Sequence, residues 1–301
     1  EFRDQGLSRC KVLVILPTRS CAERYVQTIL SLLPRAVKTV HNKKRFDIEY
    51  GLPEVAHDAE GTVDEKLVET ERSQTRDGRR RAEDWIELFA RNDNDCFTLG
   101  MAFSRKEVKM YSDFNSSDLI VASPLGLRVA MGAEGEEEKK TIDADFLASI
   151  ELLVIDQAEA FEMQNWEHLR SIMKRLNCMP RNERAQAVDF SRVRELDLLN
   201  LGRFHRQSIV LSAHRMPALA ALCKQRCHNT SGVLRVRRRS YSGSIQSVVP
   251  KVRQIFRRID CSSLASADDD RFDFFVRNMF PRLRRICRGL DAEEEHMFAR
   301  E

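Results

Sequence analysis

The 301-residue sequence has no apolar run that approaches the roughly 18 residues a membrane-spanning helix needs. Its first residues, Glu1 to Asp4, lack the basic start and apolar middle of a secretory signal peptide. No C-x-x-C spacing occurs among the eight cysteines, and this many scattered thiols is typical of a reducing compartment. We therefore predict a protein of the cytosol or nucleus that contacts no membrane.

Metal-binding and nucleotide-binding signatures are missing as well. Cys223, Cys227 and His228 come closest to a zinc cluster, but further ligands at suitable spacing are lacking, and buried or partly exposed helix thiols are the alternative. None of the twelve glycines is followed by lysine, the pair that a P-loop needs to reach nucleotide phosphates from a glycine-rich turn. We expect neither a metal site nor a cofactor.

The charge balance excludes a polycation. The net charge is only +4 although 32% of the residues are charged, so a nucleic-acid surface must come from local clustering of basic residues. The apolar content of 42% is enough for a substantial core.

The chain is organised around the stretch from Ile150 to Glu159. A continuous apolar run, Leu152–Ile155, ends abruptly in Asp156 and Gln157, which is typical of a strand buried on both faces of a parallel sheet. In open α/β sheets, residues just beyond the carboxyl end of a strand line the ligand crevice. The pattern predicts an α/β fold with Asp156 and Gln157 at that edge.

Three other apolar runs also end in polar residues, and two of them precede amphipathic helices. The first, Val12–Leu16, precedes a helix predicted at Cys21–Leu33, with Ser20 as N-cap and Glu23 completing a capping box. The residues that follow the three runs include Thr18 and Arg19 after Val12–Leu16, Ser123 and Arg128 after Asp118–Ala122, and Ser212, Ala213 and His214 after Gln207–Leu211.

These run ends resemble the motifs of DEAD-box RNA helicases. Asp156-Gln157-Ala158-Glu159 resembles the Asp-Glu-Ala-Asp box, whose first Asp holds magnesium through water and whose Glu positions the attacking water. The segments at Thr18 and Ser123 are similar to motifs Ia and Ib, which grip RNA phosphates, and Ser212-Ala213-His214 is similar to motif III. The resemblance implies a RecA-like parallel sheet, with Thr18, Arg19, Ser123 and Arg128 as candidate RNA-binding residues.

The box departs from that pattern at its catalytic position. Gln157 stands where those enzymes have glutamate, and an amide can hydrogen-bond a water but cannot take its proton at neutral pH. Gly126 and His214 replace the Arg of motif Ib and the Thr of motif III, and no H-R-x-G-R arginine-finger motif occurs. We therefore predict a degenerate nucleotide site with no catalytic residue.

The composition divides the chain further. We expect a RecA-like domain at 1–232 with a polar insertion at about 51–81, a basic linker at 233–258, and the beginning of a second RecA-like domain at 259–301, with a strand at Gln254–Ile259 and a helix at Asp268–Cys287. Arg237, Arg238, Arg239 and Lys251 in the linker are candidate RNA ligands, and a solvated connection is the alternative. The remaining predicted elements are strands at Cys96–Phe103 and Val108–Tyr111 and helices at Ala82–Arg91, Trp166–Leu176, Asp189–Leu201 and Pro217–Cys227.

A fuller set of segments resembles one family. Tyr111–Phe114, Ser117–Arg128, Asp156–Ala158, Met163–His168 and Asp189–Arg194 occur in order and are similar to the digestive-organ-expansion-factor family of nucleolar DEAD-box-like proteins. The resemblance implies a non-catalytic scaffold of the small-subunit processome in the nucleolus. Its implied partners are pre-rRNA, the snoRNA-containing particle and other processome proteins.

Two other functions stay open on the residues alone. One is an active RNA-dependent ATPase or helicase with an unusual nucleotide site, whose base comes in trans or from Glu159. The resemblance speaks against Glu159, because the final Asp of the helicase box contacts motif III instead of water. The other is an unrelated doubly wound enzyme such as a small-molecule transferase, although no glycine-rich fingerprint supports it.

Overall fold

The structure is a computed structural model that describes residues 3–51, 73, 81, 83–132, 143–180, 190–236, 256–261, 263 and 266–287. The chain divides into two compact units, 1–234 and 235–301. Most of the polar insertion predicted at 51–81 lies outside the described residues. So do the linker residues Arg237, Arg238, Arg239 and Lys251, which stay predictions.

The described residues of the first unit form one mixed sheet of seven strands in the order β2-β4-β3-β5-β1-β6-β7. The strands are β1 Val12–Ile15, β2 Thr39–His41, β3 Thr98–Phe103, β4 Glu107–Met110, β5 Leu119–Ala122, β6 Leu152–Ile155 and β7 Gln207–Val210.

The four strands at the centre and one side of the sheet, β5-β1-β6-β7, run parallel. Val14 lies opposite Val121 on one side and Val154 on the other, and all three side chains are buried. Branched apolar residues suit a strand covered on both faces, which is why these short runs were recognisable in the sequence. The six predicted strands of this unit are confirmed, with ends shifted by a residue or two.

The other three strands extend the sheet with a different pairing. β3 pairs antiparallel with both β5 and β4, and β2 pairs parallel with β4 at the edge. The sequence pattern did not predict β2, because its three residues are largely exposed and carry no apolar run.

Helices cover both faces of the sheet. Leu13 and Ile15 pack with Phe161, Leu169 and Ile172 on one face, whereas Val14 and Leu16 pack with residues such as Val26, Phe46 and Tyr50 on the other. Full burial of such a side chain contributes roughly 1.5–3 kcal/mol, so the two layers dominate the stability of the unit. The helices of this unit are α1 Arg19–Ser31, α2 Lys43–Tyr50, α3 Glu83–Phe89, α4 Pro124–Met131, α5 Ala158–Met163, α6 Trp166–Arg175, α7 Glu195–Leu198, α8 Gly202–His205 and α9 Pro217–Arg226.

The predicted start of α1 is wrong. Thr18, not Ser20, is the N-cap, and its hydroxyl accepts a hydrogen bond from the backbone N–H of Cys21 at 3.4 Å. Glu23 forms no capping box with Ser20; its carboxylate pairs with Arg91 at 3.4 Å. Both Thr18 and Ser20 are acceptable caps in sequence, and the extended backbone at Thr18 decides between them.

Two other predicted elements are also wrong. The helix expected at Asp189–Leu201 is a turn followed by the short α7 and, after the left-handed Asn200 (φ 57°), by α8. The strand expected at Gln254–Ile259 is absent from its described residues, Phe256–Ile259, which have no regular structure.

The start of α4 explains one departure from the helicase pattern. A Cβ atom added to Gly126 would lie 2.2 Å from the carbonyl oxygen of Phe97, closer than van der Waals contact allows. The start of α4 therefore lies so close to Phe97, the residue before β3, that only glycine fits at position 126. An arginine at this position, as motif Ib has, is excluded by the packing.

The second unit contains a helical segment that begins at Ala267. It comprises α10 Ala267–Phe274, a π-helical stretch at Phe275–Met279 and α11 Phe280–Cys287, which confirms the helix predicted at Asp268–Cys287. Among the described residues, no helix is long and apolar enough to cross a membrane. In the same part of the chain, no three His, Cys, Asp or Glu side chains are placed to hold a metal ion.

Candidate functional site

The ends of the four parallel strands meet at one edge of the sheet, as the sequence predicts. The hydrogen-bond ladder continues one residue beyond the strands, so the residues that follow each strand are held side by side. The continuing bonds run from Leu16 N to Ala122 O (3.0 Å), from Asp156 N to Ile15 O (3.2 Å) and from Leu211 N to Ile155 O (2.8 Å).

Gln157 lies at the centre of this edge in a strained backbone conformation. Its φ and ψ of 52° and 47° place it in the left-handed region, which costs a non-glycine residue about 1–2 kcal/mol. Its amide oxygen accepts a hydrogen bond from the Cys21 thiol at 2.9 Å. Its backbone N–H donates to Oδ1 of Asp156 at 2.8 Å. The side chain that stands where the helicase pattern has glutamate is therefore bonded to helix α1.

Cys21 is the residue that sequence reasoning missed. Its buried thiol bridges the start of α1 and the box, because the Thr18 hydroxyl donates to Sγ at 3.2 Å and Sγ donates to Gln157. With Thr18 as N-cap, Cys21 is the third residue of the helix, where the first turn faces the cap. With the N-cap predicted at Ser20, Cys21 would be the first residue of the helix instead of the third. The contact with Gln157 was therefore not predicted.

Tyr25 follows Cys21 by one helical turn and lies on the same face of α1. Its pKa is raised, first by partial burial and then by the negative charge of Asp156. The phenol therefore lies in the field of the Asp156 carboxylate. Together Cys21 and Tyr25 place α1 against both the amide and the carboxylate of the box.

The last residue of the box contacts the segment after β7. Oε2 of Glu159 accepts a hydrogen bond from the backbone N–H of Ala213 at 3.1 Å, and the Ser212 hydroxyl donates to the carbonyl oxygen of His214 at 2.9 Å. The contact between the final acid and the segment resembling motif III is the one that the helicase pattern implies. The His214 side chain is exposed.

The candidate RNA-binding residues at this edge make contacts inside the chain. The hydroxyls of Thr18 and Ser123 are buried and cap their helices, Ser123 accepting from the Gly126 N–H at 3.0 Å. Arg19 donates to the carbonyl oxygens of Glu49 at 3.1 Å and Cys96 at 3.3 Å. Arg128 is half-buried on α4. RNA binding by these four residues stays a prediction.

The polar side chains of the box are hydrogen-bonded inside the chain. The amide of Gln157 cannot act as a base, and its oxygen is occupied by a thiol. The two carboxylates, Asp156 and Glu159, each accept a backbone N–H. The polar side chains of the box are thus used to join β6, α1 and the segment after β7.

We predict a measurable coupling between Cys21 and Gln157. Removing either partner by Cys21→Ala or Gln157→Ala should lower the free energy of unfolding, and the double variant should lower it by less than the sum. The expected coupling is about 0.5–1.5 kcal/mol, the net contribution of one hydrogen bond. Urea unfolding of the wild type, the two single variants and the double variant measures this coupling.

The control pairs Cys21→Ala with Cys178→Ala, which removes an exposed thiol. The effects of these two substitutions on the free energy of unfolding should be additive. Additive losses for the first pair would show that the bond has no energetic role.

Comparison with known proteins identifies the family. The family model described as the UTP25, NTP hydrolase-like domain matches residues 1–234. The U3 small nucleolar RNA-associated protein 25 of Neurospora crassa is 44% identical over 94% of this chain and 34% of its own length. Its Homo sapiens homolog is 38% identical over 94% of this chain and 35% of its own length. Protein NUCLEOLAR FACTOR 1 of Arabidopsis thaliana is 39% identical over 96% of this chain and 37% of its own length.

The chain spans about a third of the length of these curated relatives. No solved structure matches the chain. The family match, by contrast, covers the entire sheet and every segment of the edge described above. The chain belongs to the UTP25 family and carries its NTP hydrolase-like domain.

Proposed function

We propose that this chain is the RecA-like core of a non-catalytic scaffold that acts in small-subunit processome assembly and pre-rRNA processing. The observation that carries the proposal is the hydrogen bond between the Cys21 thiol and the Gln157 amide oxygen. It joins the segments that follow two neighbouring parallel strands. The amide at the position that resembles the catalytic glutamate of the helicase box is therefore used for a contact inside the chain.

The RecA-like assignment is supported by the parallel strands β5-β1-β6-β7 and by the segments that follow their ends. We further propose the domain limits expected from the sequence, 1–232, 233–258 and 259–301. We also take the digestive-organ-expansion-factor family and the UTP25 family to be one family.

The site of action follows from the relatives. Three of them carry the words U3 small nucleolar RNA or nucleolar in their names. We therefore place this chain in the nucleolus, in contact with pre-rRNA, the snoRNA-containing particle and other processome proteins. Its sheet edge would serve as a docking surface, since its polar groups are organised by internal hydrogen bonds and need no nucleotide to order them.

The competing function is an RNA-dependent ATPase that uses another base. Glu159 is the nearest candidate in the box, but its Oε2 accepts the Ala213 N–H at 3.1 Å. A carboxylate held in this way maintains the junction with the segment after β7. The geometry supports the scaffold over the enzyme.

A rescue experiment tests the scaffold. Depletion of the full-length protein that contains this chain should stall early small-subunit rRNA processing, and an Asp156→Asn copy should restore processing fully. The reason is that the amide oxygen of asparagine can still accept the Gln157 N–H, whereas the negative charge that a metal ion needs is gone. Northern analysis of the pre-rRNA intermediates measures the outcome. If a normally folded and expressed Asp156→Asn protein fails to rescue, the enzyme is favoured, and absence of the wild-type protein from purified early particles would refute the assignment itself.

A second prediction concerns the basic segment that contains Arg237, Arg238 and Arg239. If it binds RNA, replacing all three arginines by glutamine should weaken binding of a single-stranded RNA. It should also flatten the dependence of log K on log salt by about 0.7 for each RNA phosphate that the variant no longer neutralises. Fluorescence anisotropy between low and moderate salt measures the slope.

A matched control separates the segment from a general reduction of charge. Replacing Lys38, Lys43 and Lys44, three exposed residues before and within α2, removes the same charge elsewhere and should leave the slope unchanged. An equal change for both triple variants, or no change for either, would favour a solvated connection over an RNA-binding segment.

A further inference from the structure

One side of β7 pairs with no strand in the part of the chain that the structure describes. There, β7 is the last strand of the sheet and pairs only with β6. The backbone N–H groups of Gln207 and Leu211 donate to carbonyl oxygens on the β6 side, at 2.8 Å each. Because backbone groups alternate along a strand, those of Ser208 and Val210 point away from β6. We call this outward side of the strand the β7 border.

Two large apolar side chains beside the β7 border are exposed. Ile209 is paired with Val154, so their side chains lie on the same face of the sheet, and Leu211 follows on that face by alternation. Val154 belongs to the layer that α1 and α2 cover and is only 7% exposed. Ile209 and Leu211 are 38% and 49% exposed. The face that the helices cover at the centre of the sheet is therefore bare at β7.

The opposite face of β7 is covered. Val210 packs against the layer that contains Leu219 and Leu222 of α9. Strands of a parallel sheet normally have helices on both faces, because their side chains are apolar on both. In the described residues β7 thus lacks two things that the central strands have, a second neighbouring strand and a helix over Ile209 and Leu211.

The strand at the other end of the sheet is protected in ways that β7 is not. Proteins protect an exposed end strand by keeping it short and by placing charged residues on it or beside it. The strand β2 has three residues, Thr39–His41, and the exposed Lys38 and Lys43 lie next to it in the chain. β7, Gln207–Val210, carries no charge, and Arg206 before it is buried. The β7 border is therefore suited to pairing with a further strand.

We propose that the β7 border binds a strand–helix segment of the same polypeptide, from outside the 301 residues of this chain. The added strand pairs with the outward backbone groups of Ser208 and Val210, and its helix packs on Ile209 and Leu211. The added strand is parallel to β7, because the connection to a parallel strand is usually a helix and the bare face needs one. This interaction surface goes beyond the proposed scaffold function and does not depend on it.

The length of the relatives supports a segment of the same polypeptide. This chain covers 34%, 35% and 37% of the three relatives, so proteins of this family contain about twice as much sequence outside the shared region. A strand and a helix of ordinary length with their loop need only about 20–30 residues. A segment tethered to the sheet is also present at a high effective concentration, which favours it over a separate protein.

Amide hydrogen exchange in the purified full-length protein tests the pairing. At a free border the N–H groups of Ser208 and Val210 exchange rapidly, whereas that of Ile209, which faces β6, is protected. We expect all three to exchange slowly, because the outward groups donate to the added strand. Rapid exchange at Ser208 and Val210 beside a protected Ile209 would overturn the proposal.

A proline at position 210 tests whether the outward N–H is used. Val210→Pro removes this N–H and places the proline ring towards the added strand, whereas Val210→Ala shortens the side chain and keeps the N–H. In the full-length protein, Val210→Pro should lower Tm by about 2–4 °C or more relative to Val210→Ala, the shift expected when one backbone hydrogen bond is lost. Proline is tolerated at a free border, where the N–H faces solvent, so equal Tm values for the two variants would contradict the proposal.

Photo-crosslinking identifies what covers the bare face. The full-length protein is prepared with p-benzoylphenylalanine in place of Leu211, irradiated, and analysed by mass spectrometry. We expect a crosslink within one polypeptide to a segment outside the 301 residues of this chain. The same group in place of Leu32, which is 77% exposed after α1, is the control and should not give this product. A crosslink from position 211 to a second copy, to another protein, to RNA or to residues within the 301 would overturn the proposal, as would the absence of any crosslink.

Discussion

The structure depends on one constraint, the parallel register of β5, β1, β6 and β7. Because these strands are paired without offset at their ends, the backbone hydrogen bonds continue to Leu16, Asp156 and Leu211. Each loop that follows a strand is therefore fixed next to its neighbours before any side chain acts. The contacts of Cys21 with Gln157 and of Glu159 with Ala213 are consequences of that alignment.

At this edge the polar groups of the Asp156–Glu159 box accept hydrogen bonds from inside the chain. Gln157 remains in a strained left-handed conformation, which a purely structural loop could avoid with glycine. The hydrogen bond from Cys21 offsets part of that strain. The proposed scaffold would use this internally bonded edge as its docking surface.

The sequence predicted the parts of this arrangement that depend on local pattern. Buried strands such as Leu152–Ile155 stand out because an apolar run stops at a charge, and parallel strands place their ends together whatever else the chain does. The exposed strand Thr39–His41 and the N-cap at Thr18 carry no comparable local signal. The bond between Cys21 and Gln157 could not be predicted, since it joins residues 136 positions apart and depends on where α1 starts.

The central claim is that the edge supports assembly and performs no ATP hydrolysis. The most direct measurement is ATP turnover by the purified full-length protein that contains this chain, with and without RNA, beside an Asp156→Ala variant and a control without protein. We expect the same phosphate release in all samples, because Gln157 cannot take a proton from water. RNA-stimulated turnover by the wild type that disappears in Asp156→Ala would contradict it.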